Sequence, residues 1–175
     1  MADMMDYTFY GTVSEADAYF SHRLHSTKWA GAFKENSLIA ATRIVDALAY
    51  KGDKHSVWTL WQGYTWPIGP TQLLIHAAEL AQVRQFPRDN DTVAPEDIRA
   101  AVYEIAYALL DGKDPELELQ ALAIRHQSYG PVSTTYNREQ LPQEHTENGV
   151  PSVIAWRLLR PYLRTVNEFG ICRTS

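Results

Sequence analysis

Residues 95–112 read PEDIRAAVYEIAYALLDG, and this stretch decides the fold. Pro95 suits the first position of a helix, and Glu96 and Asp97 put negative charge in the first turn, where the helix dipole favours it. Gly112 stands where a C-terminal stop belongs. Between them Ile98, Ala101, Val102, Ile105, Ala106 and Leu109 recur at i, i+3, i+4, i+7 spacing, and Tyr103, Tyr107 and Leu110 add a second apolar stripe. Glu104 is the only charge between Arg99 and Asp111. A helix this apolar around its girth belongs at the centre of a protein, with neighbours on two sides. Ile98, Val102, Ile105 and Leu109 are its expected core positions, and Glu104 is expected on its polar face.

Working outward, the chain has 175 residues, enough for one domain with a real core, and its 45% hydrophobic content is that of a globular protein. The net charge of −5 argues against free, sequence-independent nucleic-acid binding, which depends on Lys and Arg neutralising phosphates. It leaves room for a local basic patch. The single Cys172 forbids an internal disulfide and fits a reducing compartment. The first residues are acidic where a signal peptide is basic, and no run approaches the ~18 apolar residues of a membrane span. A cytosolic chain with no membrane contact is expected.

On the N-terminal side, residues 6–10 suit a short strand or an extended arm. Ser14 opens a helix, with Asp17 three residues on as in a capping box. Trp29 and Phe33 are expected to anchor the following link. A helix capped by Asn36 or Ser37 runs to about Tyr50, with Leu38, Ala41, Val45 and Leu48 as its buried stripe and Arg43 placed to pair with Asp46. Residues 51–70, KGDKHSVWTLWQGYTWPIGP, hold three of the five Trp and read as an ordered loop. Thr71 caps a helix to about Gln85, with Leu74, Ala77, Ala78 and Ala81 as a small-residue packing stripe, and Phe86-Pro87-Arg88 stops it.

On the C-terminal side, 115–122 ends a short helix or connection. Residues 123–128 and 132–136 read as a β-hairpin joined through Tyr129-Gly130-Pro131. A polar loop over 137–149 precedes a short helix from Pro151 that Pro161 halts. The expected fold is mainly α: a helical bundle with a small β-hairpin and an extended C-terminal arm. It divides into a helical core over 1–115, a hairpin region over 116–137, and a loop, short helix and arm over 138–175.

Catalytic motifs are absent: there is no P-loop, no G-x-G-x-x-G, no G-x-S-x-G and no H-E-x-x-H. His22 with His25, and His76 with Glu79, lie i, i+3 apart without a third ligand at suitable spacing. No enzyme, cofactor or metal is expected. Charge is more informative. Residues 1–20 carry Asp3, Asp6, Glu15 and Asp17 with no base, whereas from 151 onward Arg157, Arg160, Arg164 and Arg173 face the single acid Glu168. This asymmetry is an accident of composition, an assembly device in which complementary fields orient partners, or a basic tail that touches nucleic acid. Trp156, Leu159 and Tyr162 as anchors, with Arg157, Arg160 and Arg164 as charges, form the expected interface, because Trp and Arg dominate binding hot spots. That interface requires 151–175 to leave the globular body.

In order along the chain, 12–19 (TVSEADAY), 37–46 (SLIAATRIVD), 85–88 (QFPR), 93–110, 128–136 (SYGPVSTTY) and 150–163 (VPSVIAWRLLRPYL) resemble a family from tailed-phage genomes labelled DnaT-like single-stranded DNA-binding protein. The family pattern has Trp where Phe86 stands, and 51–84 is longer here. Members look like head–tail adaptors, or connectors. The resemblance implies a virion protein at the head–tail junction, present in the host cytoplasm before assembly. It would form a ring, a dodecamer, docked on the portal protein and on a tail or nozzle component, with double-stranded DNA passing through the lumen without specific binding. The alternative function is a single-stranded DNA-binding replication protein.

Overall fold

The computed structural model describes residues 8–64, 70–123, 126–129, 132–135 and 144–164. In these the chain forms α1 (Val13–Ser21), α2 (Lys34–Asp46), α3 (His55–Gln62), α4 (Gln72–Ala81), α5 (Glu96–Leu110), α6 (Pro115–Ala123), strands β1 (His126–Tyr129) and β2 (Val132–Thr135), α7 (Glu144–Glu147) and α8 (Val153–Leu159). Short 3-10 turns cover Thr27–Ala30 and Arg160–Tyr162. The protein is mainly helical and packs as a bundle.

α5 is the axis. Pro95 is its N-cap and Glu96 its first residue, so the helix starts one residue later than the sequence suggested. Its end is a Schellman motif: Gly112, at φ +83°, donates to the Leu109 carbonyl at 3.0 Å, and the Lys113 amide donates to the Ala108 carbonyl at 3.1 Å. Ile98, Val102 and Ile105 are fully buried, and Leu109 is partly buried against the same cluster. α2 covers one flank of α5 with Leu38, Ala41 and Val45, and α8 covers another with Ala155 and Leu159. α1 adds an aromatic layer: Phe20 lies 4.6 Å from Trp29 and 5.4 Å from Tyr107, centroid to centroid.

Several expectations are corrected. The expected arm is not an arm over 151–163. α5 is apolar on two sides and α2 covers only one, so the segment from Pro151 folds back as α8, with Leu159 wholly buried and Trp156 7% exposed. Residues 165–175 lie outside the described residues. Glu104 is not on a polar face. It is 2% exposed, accepts a hydrogen bond from the Tyr19 hydroxyl at 2.8 Å and pairs with Arg23 at 2.7 Å. The N-cap of α1 is Thr12, whose hydroxyl accepts from the Glu15 amide at 3.1 Å and lies 3.3 Å from the Glu15 carboxylate, an N-cap two residues earlier than expected. α2 begins at Lys34 with Phe33 as N-cap, and Phe33 is exposed while Trp29 is buried. Residues 55–62 are helix α3, not loop. α4 ends at Ala81 and buries no residue; Leu74, Ala77 and Ala81 of its expected packing stripe face solvent.

The hairpin pairs antiparallel, with Gln127 opposite Thr134 and Ser128 opposite Ser133; its first strand starts three residues later than expected. Most of the expected polar loop, 137–143, lies outside the described residues, and its end is α7, whose His145 is buried with Nδ1 2.9 Å from the Val150 carbonyl.

Candidate nucleic-acid interface

The segment 49–55 lies between two others. On one side it runs antiparallel to 162–164: the Lys51 amide donates to the Tyr162 carbonyl at 2.9 Å and the Arg164 amide to the Ala49 carbonyl at 3.0 Å. On the other side Lys54 bridges to Arg88, the Asp89 amide donates to Asp53 at 2.8 Å, and the His55 amide donates to Pro87 at 3.1 Å. This small backbone ladder brings together bases from three distant parts of the sequence: Lys51 and Lys54, Arg88, and Arg164.

The ladder is pinned from below. Asp46, at the end of α2, accepts from the Tyr10 hydroxyl at 2.5 Å, from Arg84 at 2.9 Å and from the Gln85 amide at 3.1 Å. Burial and the Asp46 carboxylate push the Tyr10 phenol far above its usual range, so Tyr10 stays a neutral donor. Arg84 is thereby committed to Asp46, replacing the expected Arg43–Asp46 pair. The motif 85–88 contributes in turn. Phe86, ahead of a cis peptide bond to Pro87, donates its amide to Tyr10 at 3.0 Å, and Arg88 donates to the carbonyls of Lys51, at 2.7 Å, and Gly52. Burial lowers the Arg88 pKa, but a guanidinium remains charged in the physiological range.

Two clefts flank the ladder and share Arg164. One, of about 310 Å³, is lined by Leu48, Glu144, Trp156, Arg160, Leu163 and Arg164. The other, of about 390 Å³, includes Lys54, Val57, His76, Glu79, Arg88 and Arg164 in its wall. Arg157, Arg160 and Arg164 are exposed, and their side chains have no ion-pair or hydrogen-bond partner among the described residues. Lys54 is half-buried, with its ammonium on the Gln82 carbonyl at 2.8 Å, where it also complements the C-terminal end of α4. On α3, Val57 lines the second cleft. Trp61 lies on the same face one turn later and is 44% exposed. A further cleft of about 380 Å³ between α1 and α5 contains Arg99, but Glu15 takes that guanidinium at 2.7 Å and Glu96 adds a second acid, so it offers an anion no net attraction.

Of the six expected interface residues, Arg160 and Arg164 meet at one cleft with Trp156 in its wall. Arg157 is exposed outside it. Tyr162 is half-buried, donating to Asp97 at 3.2 Å and packing edge-on to Phe86 at 6.1 Å. Leu159 belongs to the core and Trp156 is nearly so, so neither is available as a protruding anchor. Lys54, Arg88 and Trp61 were missed. The bases interleaved with Trp in 51–61 were the available signal. Among the described residues no group of three His, Cys, Asp or Glu is placed to hold a metal, and no helix is long and apolar enough to cross a membrane.

Over residues 5–173 the chain matches the family described as "Putative DnaT-like ssDNA binding protein". The chain belongs to that family. No curated protein and no solved structure matches it. For this DnaT-like chain the family finding overturns the head–tail adaptor reading, because the family's description is of single-stranded DNA binding and agrees with the alternative function. The motifs quoted from the sequence are the framework of this DnaT-like fold: 12–19 forms α1 and its cap, 85–88 locks the ladder, and 150–163 closes the core.

Proposed function

We propose that the protein binds single-stranded DNA along the strip that joins the two clefts, acting by binding alone with no chemical step. Membership of the DnaT-like family over residues 5–173 carries this reading. The placement of Arg160 and Arg164 in one cleft and of Arg88 and Arg164 in the other supports it, since a single strand is held by cations that track its backbone. Bases that extend past the second cleft would stack on the exposed face of Trp61, as aromatic platforms in such grooves do. The net charge of −5 is a sum over the whole chain and does not oppose a local run of cations: the side chains of Arg160 and Arg164 are exposed, and Arg88, held on the Lys51 and Gly52 carbonyls, keeps its charge. Glu79 and Glu144 border the clefts and hold the affinity down, so a dissociation constant of about 10⁻⁴–10⁻⁶ M at physiological salt is expected.

Fluorescence anisotropy of a labelled thymidine oligonucleotide tests this. With three phosphates neutralised, the log–log salt slope is about −2, and raising salt from about 50 to 200 mM weakens binding ~20-fold. Arg164→Ala removes one contact, flattens the slope by about 0.7 and reduces the same weakening to ~7-fold. Trp61→Ala costs about 5- to 150-fold with the salt slope unchanged, because stacking is not ionic. No binding by the parent protein at about 50 mM salt and 100 µM protein, or an Arg164→Ala slope equal to the parent's, refutes the proposal.

A further inference from the structure

The cleft of about 310 Å³ holds an acid as well as its two arginines, and the three do not neutralise one another. Glu144 stands in its wall with Arg160 and Arg164, yet no ion pair joins them, and the Glu144 carboxylate has no partner among the described residues. The acid of the other cleft, Glu79, has His76 at 3.8 Å. Glu144 is braced from behind. The neighbouring His145 and Thr146 are buried, and the Val150 amide donates to the His145 carbonyl at 2.8 Å. The Asn148 side-chain amide donates to the Glu144 carbonyl at 2.8 Å, which fixes the start of α7. Glu144 itself stays exposed, on the side of α7 that lines the cleft. For a site that only tracks phosphates this carboxylate is a defect, since it repels what Arg160 and Arg164 attract.

We propose that this cleft takes a guanine base of the bound strand, with Glu144 as the residue that selects it. The inference rests on the DNA reading above and adds a base preference to it. In a single strand the pairing edge of each base is free to be read. Guanine is the one common base whose pairing edge presents two neighbouring donors, the N1 hydrogen and the N2 amine, which match the two oxygens of a carboxylate. Adenine and cytosine set a ring acceptor beside their amine, and thymine flanks its N3 hydrogen with two carbonyls, so each turns an acceptor towards Glu144. The O6 and N7 acceptors of guanine adjoin that donor edge and are the pair that arginine reads. Guanidiniums and an unpaired carboxylate in one cleft therefore complement both edges of guanine, with Leu48, Leu163 and Trp156 as the apolar part of the wall. The cleft is at the small end of the range for small-ligand sites, which suits one base.

Anisotropy of the full chain with labelled thymidine strands of about 12 nucleotides, either uniform or with one central deoxyguanosine, deoxyadenosine, deoxycytidine or deoxyinosine, reads the result at about 50 mM salt. A single guanine per strand keeps quadruplexes out of the measurement. The guanine strand is expected to bind about 5- to 10-fold more tightly than the thymidine, adenine and cytosine strands, the lower part of what a bidentate base contact provides. Deoxyinosine, which lacks only the N2 amine, falls between. Glu144→Ala brings the guanine strand to within about 2-fold of the thymidine strand without weakening thymidine binding. Glu79→Ala instead tightens all strands alike and keeps the preference. Both side chains are exposed, so neither variant disturbs the fold. Thymidine binding with a guanine gain below about 2-fold overturns this inference and leaves the DNA reading standing. A preference that survives Glu144→Ala, or that adenine shares, overturns it as well. Absence of binding to every strand removes the DNA reading and this inference with it.

Discussion

Replacing Glu104 by Gln changes one atom in the centre of the molecule. The carboxylate is 2% exposed and faces Arg23, whose side chain is 26% exposed, at 2.7 Å. Its other oxygen accepts the Tyr19 hydroxyl at 2.8 Å. Removing a partner from a fully buried ion pair costs about 3–5 kcal/mol. Here the loss is smaller for two reasons. Arg23 keeps some water and lies over the Tyr107 ring, 4.6 Å from its centroid. The Gln amide oxygen also still accepts from Tyr19. A destabilisation of about 1–2 kcal/mol is left, and Glu104→Leu, which strands both Tyr19 and Arg23, costs about 3 kcal/mol. For a chain of this size these become falls in Tm of about 3–6 °C and 6–12 °C. Thermal unfolding followed by circular dichroism at neutral pH gives the answer. A Gln variant within about 0.5 kcal/mol of the parent is the behaviour of a surface site, and would refute the burial and pairing described for Glu104.

Gly52 sits at φ +70° with the Asp89 carboxylate where a Cβ would be, 2.1 Å from the nearest oxygen. Gly52→Ala therefore displaces the Asp89 side chain from the Asp53 amide as well as straining the backbone. It is expected to cost about 2 kcal/mol by urea denaturation, against about 1 kcal/mol for Gly149→Ala, where φ is +70° but the space is open. Equal costs would show that the Asp89 contact contributes nothing. Burial and neighbouring carboxylates raise the Tyr19 and Tyr103 hydroxyls to about 12, above the ordinary 10.0. Folding thus favours the protonated phenols, a contribution fully present below pH 10.0 and lost as pH rises from there through about 12. The urea midpoint should fall across that window, with part of the tyrosinate absorbance appearing only on unfolding; full titration of all tyrosines near 10 in the folded protein would refute it.

How far the sequence could be read depended on whether an element's reasons lay within it. α5 was legible because its periodicity, its acidic first turn and its terminal glycine all lie inside eighteen residues. The buried stripe of α2 was legible for the same reason, and the hairpin showed itself through its Ser and Thr run. α3 was not. His, Ser, Val, Trp and Thr are indifferent helix formers, and eight residues are too few to be helical alone. The helix exists because Ser56 and His55 find partners at Ala78 and Pro87. Glu104 was misplaced because its partners lie far away in the chain; a lone carboxylate in an apolar helix is ambiguous until Tyr19 and Arg23 are found beside it. The arginines after 151 read as part of an arm, since nothing local says that Trp156 and Leu159 turn inward while Arg160 and Arg164 turn out. Summed charge says nothing of where Arg88, Arg160 and Arg164 meet, because it adds up the whole chain while these three come together only in the fold.

α8 is the last described α-helix in sequence and yet forms one of the two main flanks of α5. About forty residues separate them, which a ribosome adds in roughly 2–8 s. For that interval a nascent chain can have α2 on α5 but an open apolar flank where α8 belongs. Native folding is therefore completed only when translation has passed α8, and truncated products ending in the hairpin would be natural clients for chaperones and proteases.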